Sequence, residues 1–254
     1  MLKHIVVASL LIVTSLGASA RNLDAILDSG TLRVGTTGDY KPFTFLDDGT
    51  YEGFDIEMAE LIAEKMELEL EFVPTSWPTL MEDLKADKYD IGMGGISRTL
   101  SRQLEARYSH PYLTYGKTPL VHANNADRFS SLDDIDQPDV RIGVNPGGTN
   151  QAFVRENIQQ AEVVVIESNL DIPPAVAAKD VDVMITDSPE AIFYSHNDDD
   201  LAAPLVDSLF TKSQLAYLIQ ADAERLQGTV NFILESMQLT GELDELRRDH
   251  MLAK

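Results

Sequence analysis

A chain of 254 residues with 42 Asp and Glu against 20 Lys and Arg carries a formal charge of −22 and holds no cysteine. The acidic surplus excludes the basic, phosphate-neutralising surface of a nucleic-acid binder and speaks to solubility rather than fold. Without cysteine there are no disulfides and no thiol for a lipid anchor, so the packed core alone must hold the fold.

Lys3 and His4 precede an apolar run from Ile5 to Leu16, followed by Ala18-Ser19-Ala20. This pattern predicts an export leader over residues 1–20 and a mature chain beginning at Arg21 in the periplasm. Loss of Lys3 takes the charge from −22 to −23. The run is too short to span a bilayer and no later run is longer, so no membrane insertion is expected. The remaining length suits two compact lobes of roughly 100 residues each.

In chain order, Thr31–Thr36 reads as a strand, 54–66 as an amphipathic helix and 68–74 as a strand. Residues 77–84 read as a helix capped by Ser76 with Pro78 in its first turn, and 89–93 as a strand. The stretch 122–138 is polar and turn-rich and begins a second unit. Arg141–Val144 is a strand that leads through Asn145-Pro146-Gly147-Gly148-Thr149-Asn150 into a helix ending near Asn157. A strand over 163–167, a helix over 173–178 and a strand over 181–185 follow, then a strand over 215–219 and helices over 223–237 and 242–252. Two successive units of this kind predict an α/β protein with two lobes and largely parallel sheets.

The run Ile185-Thr186-Asp187-Ser188-Pro189-Glu190 carries two carboxylates where a strand turns into a helix. Ligands of open α/β domains bind at that edge. One reading makes Asp187 a helix cap and Glu190 a first-turn acid favoured by the helix dipole. The other makes Asp187 a counter-ion for a ligand and Glu190 a proton donor. Trp77, the only tryptophan, could form ring-binding walls with Tyr40 and Phe43, or all three could be core. Thr149 and Asn150 open a helix after two glycines, where backbone amides meet an anion or simply cap the helix. The histidines at 4, 110, 122, 196 and 250 are scattered, and no phosphate loop or nucleophile motif occurs, so neither a metal nor another cofactor is expected.

Several strings together resemble the type II periplasmic solute-binding proteins, family 3. They are Leu32-Arg33-Val34-Gly35-Thr36-Thr37, Tyr40-x-Pro42-Phe43, Gly53-Phe54-Asp55, Asp90-Ile91-Gly92-Met93, Gly95-Ile96-Ser97 with Arg102 after it, and Tyr108-Ser109-His110-Pro111-Tyr112. Gly116-Lys117-Thr118-Pro119, Pro74-Thr75-Ser76-Trp77-Pro78 and Thr186-Asp187-x-x-Glu190 are similar to the dehydratase branch of that superfamily, exported enzymes acting on prephenate and L-arogenate.

The resemblance implies two lobes joined by two crossing strands, with the ligand in the cleft. Lobe one would be 21–114 plus 214–254 and lobe two 118–210, with hinges near 113–117 and 211–214. It implies that Arg102 grips a ligand carboxylate, as a planar guanidinium is suited to do. Ser97, Thr149, Asn150 and Asp187 would also touch the ligand. Glu190 would be the catalytic acid, with Lys117 beside it. The alternative is a non-catalytic amino-acid-binding subunit that delivers to an ABC permease. A membrane-receptor sensor domain is disfavoured, because no spanning segment follows.

Overall fold

The computed structural model describes residues 21–251. The leader expected over 1–20 lies outside the described residues. The chain folds as two α/β lobes joined by a pair of crossing strands.

In the first lobe Thr31–Thr36 lies between Glu69–Pro74 and Ile91–Gly92, parallel to both. Leu218–Gln220 and Ala106–Tyr108 extend this sheet in antiparallel fashion. The helix Phe54–Lys65 buries Phe54, Met58, Ala59, Ile62 and Ala63, the helical spacing visible in the sequence, against Leu32 and Val34 of the central strand. The helix Glu224–Thr240 packs into the same core through Leu226, Val230, Leu234 and Met237.

In the second lobe Arg141–Val144 is parallel to Glu162–Val165 and Val183–Asp187. Lys117–His122 runs antiparallel to Val183–Asp187, and Leu201–Ala202 closes the edge. Between the lobes Leu113–Tyr115 and Ser213–Leu215 form an antiparallel ribbon. Gly116 follows the ribbon, where a Cβ would sit 1.9 Å from the Thr211 carbonyl oxygen, so the two crossings approach closely only without a side chain there.

Both sheets are mixed rather than largely parallel. Each lobe receives a strand directly from the crossing, at the edge where its parallel strands end, and such a strand must run against them. Lys117–His122 is that strand in the second lobe, so the lobe begins before the polar stretch 122–138. That stretch forms a short 3-10 turn, Ala123–Arg128, and the helix Leu132–Ile135 capped by Ser131.

Other boundaries differ from the sequence reading. The Ser76 carbonyl accepts from both Thr79 N and Leu80 N, so 77–79 is a turn and the helix is Leu80–Lys85. The strand expected over 89–93 pairs only at Ile91–Gly92. The strand expected over 215–219 breaks at Ala216 and Tyr217, where the chain passes from the crossing ribbon to the first sheet. The hairpin strands Asp39–Tyr40, Thr44–Asp47 and Thr50–Glu52 were not expected and are too short to show a period.

Candidate active site in the interlobe cleft

The antiparallel register pairs Asp187, the last residue of its strand, with Lys117, the first residue of its neighbour. Side chains opposed in this way lie within contact range. Lys117 Nζ donates to Asp187 Oδ1 at 2.5 Å and to Thr149 Oγ1 at 3.0 Å, and also to Asn150 Oδ1. Tyr40 from the other lobe donates its hydroxyl to Asp187 Oδ2 at 2.6 Å. Burial, and then Asp187, hold the Tyr40 phenol well above its usual range, so it remains a donor. Asp187 occupies the backbone N-cap position of the helix Ser188–Asn197, yet its side chain makes no capping bond.

Glu190 lies in the first turn of that helix, after Pro189. It is wholly buried, at 0 % exposure. Asn169 Nδ2 donates to its Oε1 at 2.6 Å, and the Thr186 hydroxyl donates to its Oε2. Thr186 also accepts from Asn150 Nδ2 at 3.2 Å, which links Glu190 to the acceptor of Lys117. Burial pushes the Glu190 carboxyl well above the usual glutamate range. The bonds from Thr186 and Asn169 pull it back, while the charges of Asp187 and Asp39 push it further up. The helix N-terminus also favours the ionised form. Desolvation prevails over these pulls and favours the protonated form of the carboxyl.

The first lobe supplies the facing wall. Trp77 lies edge-on to Tyr40, with ring centroids 5.8 Å apart, and its Nε1 donates to Asp39 Oδ1 at 3.0 Å. Burial raises the Asp39 carboxyl above its usual range, against the pull of Thr37 and Trp77. The Ser97 hydroxyl accepts from Tyr115 at 2.6 Å and meets Thr149 Oγ1 across the cleft at 3.3 Å. Arg102 Nη1 donates to the Ser97 carbonyl at 3.1 Å. The turn that carries Ser97 is held from below by Asp55, which accepts from Gly94 N, Gly95 N, Tyr112 and Tyr217.

These walls leave a cavity of about 20 Å³, lined by Tyr40, Trp77, Ser97, Arg102, Thr149, Asn150 and Asp187, together with Asn145 and Asn169. That is room for about one water, so the cleft is closed down on its own side chains. Gly147 permits the closure: its φ is +85° and a Cβ there would lie 2.6 Å from Pro78 N. A wider groove of about 510 Å³ between helix Phe54–Lys65 and the end of helix Ser188–Asn197 holds none of the residues chosen from sequence.

The structure thus gathers Tyr40, Trp77, Ser97, Arg102, Thr149, Asn150 and Asp187 around the cavity, with Lys117 and Glu190 hydrogen-bonded behind its wall to Asp187 and Asn169. Phe43 does not join them. It is wholly buried behind Tyr40, edge-on to Phe54, because its backbone turns back onto the Tyr40 carbonyl and points the ring into the core. Sequence reasoning gave no role to Asn169, Asp39, Asn145 or Thr186. Thr186 lies in a string that carries the resemblance and Asn145 opens the turn before Thr149, whereas nothing around Asn169 marks it. Among the described residues no cluster of His, Asp and Glu could hold a metal.

The chain matches the bacterial extracellular solute-binding proteins, family 3, over residues 32–253. It belongs to that family. Cyclohexadienyl dehydratase of Pseudomonas aeruginosa is 42 % identical over 98 % of this chain and 94 % of its own length. L-cystine-binding protein TcyJ of Escherichia coli is 26 % identical over 88 % of this chain and 84 % of its own. The crystal structure of AncCDT-1, an ancestral amino-acid-binding protein described as a precursor of cyclohexadienyl dehydratase, superposes with a TM-score of 0.83 at 35 % identity, covering 90 % of this chain and 98 % of that one. An ancestral cyclohexadienyl dehydratase, AncCDT-3, is 48 % identical with a TM-score of 0.58, covering 93 % and 99 %. The family thus holds both carriers and enzymes with this fold.

Proposed function

We propose that this chain is a periplasmic cyclohexadienyl dehydratase, exported through a cleaved leader, that converts prephenate to phenylpyruvate and L-arogenate to L-phenylalanine. The observation that carries the reading is Glu190: a carboxyl with no solvent contact, pinned on both oxygens and driven toward its neutral form. A carrier has no use for a buried proton donor, and the 42 % identity to a cyclohexadienyl dehydratase points the same way.

The reaction needs one proton in one place. Glu190 protonates the ring hydroxyl, the C–O bond breaks and water leaves. The bond to the ring carboxylate breaks next, CO2 leaves, and its electron pair completes the aromatic ring. Glu190 recovers its proton from solvent when the lobes open. Arg102, Ser97, Thr149 and Asn150 hold the side-chain carboxylate, and Trp77 and Tyr40 flank the ring. The ammonium of Lys117 offsets the negative charge of the substrate in a site from which closure removes water. The lobes that close are 21–114 with 214–254 and 118–210, turning about 113–117 and 211–214.

The test is incubation of the mature protein with prephenate, followed by the absorbance of phenylpyruvate. Turnover above the spontaneous rate is expected. Tight amino-acid binding with no turnover would instead assign the chain to an importer.

A further inference from the structure

We propose that Lys117 is a built-in ammonium that takes the place of a ligand amine on Asp187, so that the site accepts a 2-oxo acid side chain as readily as a 2-amino one. The inference rests on the dehydratase reading and names what its substrate pocket ignores. A buried carboxylate facing a guanidinium across a cleft is an arrangement for a zwitterion, with the ligand's amine on one and its carboxylate on the other. Here Arg102 and Asp187 both line the cavity. Asp187, however, is engaged on both oxygens, by Lys117 and by Tyr40.

Lys117 is equally committed. An ammonium has three protons to donate, and this one has three acceptors in Asp187, Thr149 and Asn150. The strand register fixes its position opposite Asp187, and both side chains are almost fully buried, at 6 % and 4 % exposure. A ligand amine that took over Asp187 would leave the Lys117 charge buried with one partner fewer, and an uncompensated buried charge is costly. A ketone makes no such demand. The amine therefore gains nothing over the ketone, and the two substrates are held through their carboxylates and rings alone.

Phenylpyruvate and L-phenylalanine, which differ only at C2, serve as probes by isothermal calorimetry on the mature protein. The wild type should bind the two within about threefold of each other, and Asp187→Asn should leave their ratio unchanged. Lys117→Met should favour L-phenylalanine over phenylpyruvate by at least tenfold, and adding Asp187→Asn to it should erase that gain. A wild type that prefers L-phenylalanine by tenfold or more overturns the proposal. So does an Asp187→Asn protein that weakens L-phenylalanine selectively. If Lys117→Met does not fold, as read from its thermal melt, the wild-type and Asp187→Asn measurements still decide the matter. Failure of the dehydratase reading is a separate result, since it appears as absent prephenate turnover by the wild type whatever the binding ratios.

Discussion

Asn169 Nδ2 holds Glu190 Oε1 at 2.6 Å while the Oδ1 of the same amide, also buried, has no partner among the described residues. The short turn Asn169–Asp171 that presents this amide packs against the Asp39–Tyr40 strand of the other lobe. The residue that orients Glu190 is thus itself seated at the contact between the lobes.

Glu190→Gln should abolish most turnover and spare the fold. The glutamine oxygen can still accept from Asn169 Nδ2 and its amide nitrogen can donate to the Thr186 hydroxyl, but it has no acidic proton to give. Loss of a positioned general acid costs about 10²- to 10⁴-fold. A fall of that size in kcat, with KM for prephenate within a few-fold of wild type and an unchanged melt, is expected from steady-state assays.

The pH profile should move in opposite directions in two variants. Turnover requires protonated Glu190, so kcat falls as pH rises through its titration. Asn169→Leu removes a bond that favours the ionised form, so this basic limb should shift to higher pH, with a lower plateau from lost orientation. Asp39→Asn removes a like charge that favours the neutral form, so the limb should shift to lower pH. Profiles of kcat against pH for both proteins check the signs, and parallel shifts would refute the assignment.

Stability should decline from mildly acid to mildly alkaline pH. Burial raises the Asp55 carboxyl to about 6 despite its bonds to Tyr112, Gly95, Tyr217 and Gly94. A group whose folded-state value is raised binds more protons folded than unfolded, so stability falls as pH rises through the interval between the two values. For Asp55 that interval runs from its usual 3.8 to about 6, worth about 3 kcal/mol. Glu190 acts with the same sign. From pH 5 to pH 8 about one unit of that interval is crossed, so Asp55 alone should make the melting temperature roughly 3–5 °C higher at pH 5 than at pH 8. Glu190→Gln should remove its own share of the slope and leave that of Asp55.

Ligand entry should be visible in the intrinsic fluorescence. Trp77 is the only tryptophan and lines the cavity with its Nε1 on Asp39. Titration with phenylpyruvate should change emission intensity saturably at one site. Trp77→Phe should abolish the signal and raise KM for prephenate by roughly tenfold, because it removes both ring area and the bond that fixes Asp39.

Much of the fold was legible because it is local. Alternation and helical spacing marked Thr31–Thr36, Phe54–Lys65 and Arg141–Val144 to within a residue or two. The two-residue strands were not, since nothing periodic fits in two positions. Local reading also placed Asp187 and Glu190 together at a strand-to-helix turn, because residues three apart at a helix start share one end of it. It could not choose between capping and chemistry for them.

That choice belonged to contacts between distant residues. The amino-acid sequence by itself determined which side chains stand at each strand end. Tertiary structure decided what they do there: register across 70 residues brings Lys117 to Asp187, and lobe contact across 147 residues brings Tyr40. It sent Phe43 into the core and recruited Asn169 from an unremarked turn. It also drove the Glu190 carboxyl toward its neutral form, since desolvation is a property of everything packed around a group and cannot be written in the group's own neighbours along the chain.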